Sequence, residues 1–240
     1  MPLLLHTAIP RAGLIATAAM ISAVCLIVLP PPTQAADAAA PTAASASSSY
    51  AASPDYLAAF QTFQRAVAGD SSAVEPAAEQ FSALSRARPG DPLTLAYAGS
   101  ATAMRATTTL LPWRKMSYAE DGLAQLDKAL ALLQPAHDTL LVRGTPLSLE
   151  TRFTAATTFL TLPSMFNRNA RGAKLLAEVL QSPLLAPSPL PFRGAVYLRA
   201  GKLAQQENRP ADARRWFDQV VSLQAPQAAQ AQALLKELAR

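Results

Sequence analysis

Side chains that hold metals or do acid–base and nucleophilic work are scarce in this 240-residue chain. It has two histidines, His6 and His137, and one cysteine, Cys25. His137 stands in the stretch Pro135-Ala136-His137-Asp138, which reads as a solvated linker, and no second His or Cys lies near it at metal-ligand spacing. Cys25 sits inside an apolar run behind the bulky Val24, so no lipidation is expected there. No Gly-x-Ser-x-Gly elbow and no Gly-rich phosphate loop occurs. The acid pairs Glu75/Glu79 and Glu120/Asp121 read as solvated charges in first helical turns, where the helix dipole favours them. The residue types therefore predict no catalysis, no metal and no cofactor.

Cations say more. Between Leu141 and Arg215 there are eleven basic residues and four acidic ones, a net of +7, whereas Asp55 to Leu140 carries 7 basic and 9 acidic residues. A basic C-terminal half is either an arginine-rich solvated surface or a patch for an acidic peptide, an anionic lipid surface or another subunit. Basic residues are not interleaved with aromatic ones, and nucleic acid is not expected as a partner.

The N-terminus reads as an address. Arg11 precedes an apolar run from Ala12 to Leu29, then Pro30-Pro31-Pro32 and a small-residue stretch in which cleavage after Ala35, Ala36 or Ala38 fits. This is the pattern of a secretory signal peptide over 1–36. The alternative is a retained membrane anchor, because the run is near the minimum length for a span. Residues 37–53, rich in Ala, Ser, Thr and Pro, read as a flexible spacer. A periplasmic or secreted protein is expected, or one anchored in the membrane and facing the periplasm. Membrane association is expected only through the N-terminal apolar segment.

From 54 to 240, apolar residues recur at helical spacing between Pro and Gly stops. Leu57, Phe60, Phe63 and Val67 share one face after Asp55. Ala77, Phe81 and Leu84 share another in a helix from about Ala73 to Arg88. Asp91 caps a helix from Pro92 to about Leu110. Further helices are expected over Tyr118–Gln134, Pro146–Leu162, Asn169–Gln181, Pro191–Glu207, Pro210–Gln224 and Pro226–Arg240. The turn from Thr109 to Ser117 is overlong.

The pair from Pro191 carries a motif. Tyr197, Ala200-Gly201, Ala204, Asn208, Pro210, Ala213, Phe217, Val220 and Ala225-Pro226 follow the aromatic, Leu-Gly, small, aromatic, Pro spacing of the tetratricopeptide repeat. Ala77, Phe81, Leu84 and Pro89 form a weaker copy, as do Leu95, Ala98-Gly99, Gly122, Leu126 and Ala129. The chain thus resembles a tetratricopeptide-repeat protein. The resemblance implies an all-α, right-handed α-solenoid of about four antiparallel helix hairpins with a C-terminal capping helix. It also implies a groove, lined by the first helix of each unit, that binds a protein or peptide. Groove positions would include Leu93, Ala96, Tyr97, Ser100, Ala103 and Met104, then Ala195, Leu198, Arg199, Lys202, Gln205 and Gln206. Thr151, Thr154 and Thr158 offer a third set. The Lys/Asn set that clamps a C-terminal carboxylate is not present.

Two turns add candidate contacts. One holds Trp113 and Arg114, the other Phe166 and Arg168; each either tucks back as packing or is an exposed aromatic-and-arginine contact. The first reading is an exported, non-catalytic scaffold or adaptor that binds a protein or peptide, acidic in character, in a cell-envelope assembly. The alternatives are a membrane-tethered accessory subunit of an envelope complex, and an enzyme or small-ligand binder with a pocket between hairpins.

Overall fold

The helices begin where side chains cap them. In a computed structural model, which describes residues 53–239, Ser53 Oγ accepts the backbone N–H of Tyr56 at 3.3 Å and opens α1 (Pro54–Val67). α2 (Val74–Ala87) follows a short 3-10 turn, Ser71–Ala73. Asp91 caps α3 (Pro92–Thr108) as expected, its Oδ1 accepting the N–H groups of Leu93 at 2.8 Å and Thr94 at 3.2 Å. Then come α4 (Pro112–Ala131), α5 (Leu147–Thr161), α6 (Asn169–Gln181), α7 (Leu190–Gln206), α8 (Pro210–Ser222) and α9 (Ala228–Leu238). The described chain is all-α apart from one ribbon of two short strands. The expected signal peptide and all but the last residue of the expected spacer lie outside the described residues. Among the described residues no helix is long and apolar enough to cross a membrane.

Two elements depart from the sequence reading. The stretch around Trp113 is helix, because α4 starts at Pro112 and not near Tyr118. Pro suits a first helical turn, and Arg, Lys and Met are good helix formers. The first buried residue of α4 is Ala119, so its opening turns show no apolar periodicity. The second departure is the ribbon, in which Leu141–Val142 (β1) pairs antiparallel with Thr145–Pro146 (β2). Its two-residue turn holds Arg143 at φ +51° and Gly144 at φ +81°. Positive φ at both positions matches the right-handed twist of a tight hairpin.

Consecutive helices pack on one another along the whole described chain, and α1–α3, α3–α5 and α5–α7 also touch. Small residues allow three close approaches. A Cβ added to Gly99 would stand 2.8 Å from the Gly122 carbonyl oxygen across α3 and α4. One added to Gly172 would stand 2.8 Å from Leu160 Cγ across α5 and α6. One added to Gly201 would strike the Phe217 ring across α7 and α8.

The core has two parts. The N-terminal part is aromatic: Tyr97 lies 4.7 Å from Phe81 and 4.8 Å from Phe63, ring centre to ring centre, with Tyr56 edge-on to Phe81. The C-terminal part is mostly aliphatic, built around Leu126, Leu149, Leu176 and Val196 with Phe159 and Phe217.

Candidate functional site

α7 sets its two sides against different surroundings. Tyr197, Gly201 and Ala204 recur at helical spacing and are buried. Gly201 meets Phe217, and the Tyr197 ring stacks on Trp216 at 5.7 Å. Arg199, Lys202 and Gln206, three and four residues apart, share the opposite side. Gln206 is exposed, while Arg199 and Lys202 are half-buried.

Two arginines of α7 have buried nitrogens without a hydrogen-bond partner among the described residues: Nε of Arg193, and Nε and Nη2 of Arg199. Only Arg199 also has a second cation beside it. Burial pushes its pKa down. Lys202 is depressed too, first by burial and then by the charge of Arg199. Two cations thus sit side by side, and among the described residues no carboxylate pairs with them. Withdrawing a guanidinium from water without a counter-charge is costly, and an incoming anion removes that cost.

The close approaches give a register between helices. Gly99, Ala156 and Gly201 each lie where their helix meets the next one: Gly99 against Gly122 of α4, the Ala156 carbonyl near Gly172 of α6, and Gly201 against Phe217 of α8. Two residues earlier stand Tyr97, Thr154 and Arg199; one residue later stand Ser100, Thr157 and Lys202. Thr158 Oγ1 bonds Ser100 Oγ at 2.8 Å and so ties α5 to α3. Thr157 Oγ1, on α5, is buried without a partner among the described residues. Tyr97 and Ser100 are buried, whereas Arg199 and Lys202 are half-buried. Set against family models, characterised proteins and solved structures, the chain matches none of them.

The other expected site residues are scattered. Tyr97, expected on an open groove, is only 4% exposed, and Leu93, Ala96, Ser100 and Ala103 are buried with it. α3 is a central helix that packs on α1, α2, α4 and α5, which closes that face. Thr151, Thr154 and Thr158 are buried for the same reason on α5. Met104 is half-buried against the N-terminal core. Phe166 packs on the C-terminal core. Arg168 is engaged: it pairs with Asp127 at 2.9 Å, and Arg171 takes the other oxygen of that carboxylate at 2.5 Å. Phe166, Arg168 and Asp127 border a shallow surface depression of about 370 Å³. Trp113 and Arg114 stand exposed at the start of α4. Among the described residues no three of His, Cys, Asp and Glu stand together as metal ligands. His137 Nδ1 accepts the Gln134 N–H at 2.9 Å, a local turn contact.

Sequence reasoning missed a buried charged network. Arg143 reaches in from the ribbon turn, donating from Nη1 to Tyr56 Oη at 2.7 Å and from Nη2 to Tyr97 Oη at 3.3 Å and to Glu150. Tyr97 Oη donates to the same Glu150 oxygen. The guanidinium carbon lies 3.5 Å above the Phe60 ring. Burial raises the pKa of both tyrosines, with Glu150 adding to it. Burial also raises Glu150, against the pull of Arg143. Arg143 itself is raised: burial opposes its charge, and the oxygens of Tyr97, Glu150 and Tyr56 outweigh that. Two signals were available: an acid directly after the Leu147-Ser148-Leu149 opening of a helix, and the Arg-Gly dipeptide between Val142 and Thr145.

Proposed function

We propose that the chain is an exported, non-catalytic adaptor that holds an acidic segment of a protein or peptide partner against the Arg199 face of α7. In this reading the helices form a right-handed solenoid of four hairpins, α1–α2, α3–α4, α5–α6 and α7–α8, with α9 as the cap. Contacts between each helix and the next, and between the first helices of successive pairs, support it. So does the repeated glycine approach within three of the pairs. Both features fit the tetratricopeptide-like motif of the last pair, and the apolar N-terminal run supports export.

One observation carries the functional part: among the described residues the Arg199 guanidinium has two buried nitrogens without a partner, and its neighbour Lys202 is a second cation. Eight other arginines of the described chain are in ion pairs: Arg65, Arg105, Arg143, Arg152, Arg168, Arg171, Arg209 and Arg215. A carboxylate from a partner would supply the missing counter-charge in a partly desolvated place, where such a bond is strong.

Photo-crosslinking in the cell envelope tests this. A photoreactive residue at Gln206, exposed and one turn beyond Lys202, should trap a discrete partner band. The same residue at Gln80, exposed on α2, should not. Charge reversal of Arg199 and Lys202 should abolish the Gln206 band with helicity unchanged. A band that survives the reversal would refute the assignment of this face.

A further inference from the structure

The corner between α3 and α4 is built unlike the rest of the surface. Leu110 is 91% exposed, Trp113 67% and Leu111 37%. Trp113 is the one exposed aromatic residue among those described; every other ring is buried or half-buried. Arg114 and Lys115 follow it directly and make no ion pair among the described residues, and no acid occurs between Arg105 and Glu120. The corner is also stiff. α4 is already helical from Pro112, and Arg105 lies 4.2 Å over the Tyr118 ring while pairing with Glu75 at 2.7 Å.

We propose that this corner is a membrane contact, in which Trp113, Leu110 and Leu111 enter the interface of an anionic phospholipid surface and Arg114 and Lys115 bind its headgroups. Trp is the side chain most at home at that depth, with an apolar body and one polar N–H. Adjacent cations gain from a negatively charged leaflet. The apolar group is a projecting point of three side chains, far below the roughly 800 Å² per partner of a stable protein interface. A point of this size suits shallow insertion, which needs little area when a second attachment shares the load. The described helices are formed before contact, so insertion orders little new chain.

The test uses the full chain with vesicles of phosphatidylglycerol and phosphatidylcholine, some carrying bromine on the acyl chains. Only Trp113 and Trp216 emit, and Trp216 is half-buried against Tyr197 as an internal reference. Trp113 emission should shift to the blue and be quenched by the brominated lipid, and the Trp113→Phe chain should show neither change. The double change Arg114→Gln, Lys115→Gln should lower vesicle affinity about tenfold or more, and pure phosphatidylcholine should bind correspondingly less. If the chain binds vesicles while Trp113 stays in water, the N-terminal apolar run alone is responsible and the proposal fails. It also fails if Trp113 is shielded before lipid is added, by a second copy or by the chain's own N-terminal run, or is shielded only by an added protein.

Discussion

Arg143 and Arg199 are both drawn away from water, yet among the described residues only the first has a counter-charge. The Arg143 side chain is 25% exposed and meets Glu150, two tyrosine hydroxyls and the face of Phe60. Its backbone adopts φ +51°, a conformation uncommon for a residue with a Cβ, to bring it there. Arg199 sits on regular helix, has buried nitrogens without partners, and has another cation beside it. Burial is therefore common to both arginines. The local supply of acceptors is what differs. Around Arg143 the cation, the carboxylate and the two hydroxyls close on one another, whereas around Arg199 no described acceptor stands.

Removing the internal partner should have the largest effect. Glu150→Ala leaves Arg143 and Tyr97 without their acceptor in a buried site, and should cost about 3–5 kcal/mol in chemical unfolding. A loss below about 1 kcal/mol would mean that the network is no more than a surface pair. Packing, and not charge pairing, should dominate in the C-terminal region. Gly201→Leu drives a side chain into Phe217 and should cost about 1–3 kcal/mol; a neutral result would break the α7–α8 register. Arg199→Gln should have the smallest mutational effect, between neutral and a gain of about 1 kcal/mol, because it removes a desolvated charge that nothing repays. A clear loss would mean that Arg199 is structural like Arg143.

The comparison also predicts a pH slope. Glu150 titrates higher in the fold than in the unfolded chain, so the native state holds its proton more tightly. Its contribution to stability is fully present below the ordinary carboxylate range and is lost as pH rises through the raised value. Against Glu150→Gln, the unaltered chain should thus lose relative stability from about pH 4 upward. A flat difference would show that Arg143 offsets burial completely.

Much of the scaffold was legible beforehand. Asn169–Gln181 was read with its observed limits, and Asp91 was read as a cap, because apolar periodicity and capping chemistry are local signals. The opening turns of α4 were not legible, since their residues face solvent and show no periodicity. The ribbon was missed because two paired residues per strand are too short for an alternating pattern. Site reading fared unevenly for a related reason. Arg199, Lys202 and Gln206 share a side because helical spacing fixes it. Tyr97 was assigned to an open surface although α3 is packed on several sides, and how many neighbours a helix has is a tertiary property. Glu150 and Arg143 come together through the fold of the ribbon against α5, which spacing along the chain does not reveal.

In the proposed reading the Arg199 side of α7 binds a negatively charged segment. Calorimetric titration of the full chain with a peptide rich in Asp and Glu, alongside its Asn and Gln counterpart, tests this. Binding of the acidic peptide only is expected, weakened at least tenfold in the chain with Arg199→Glu and Lys202→Glu. Equal affinity for both peptides, or for both chains, would contradict it.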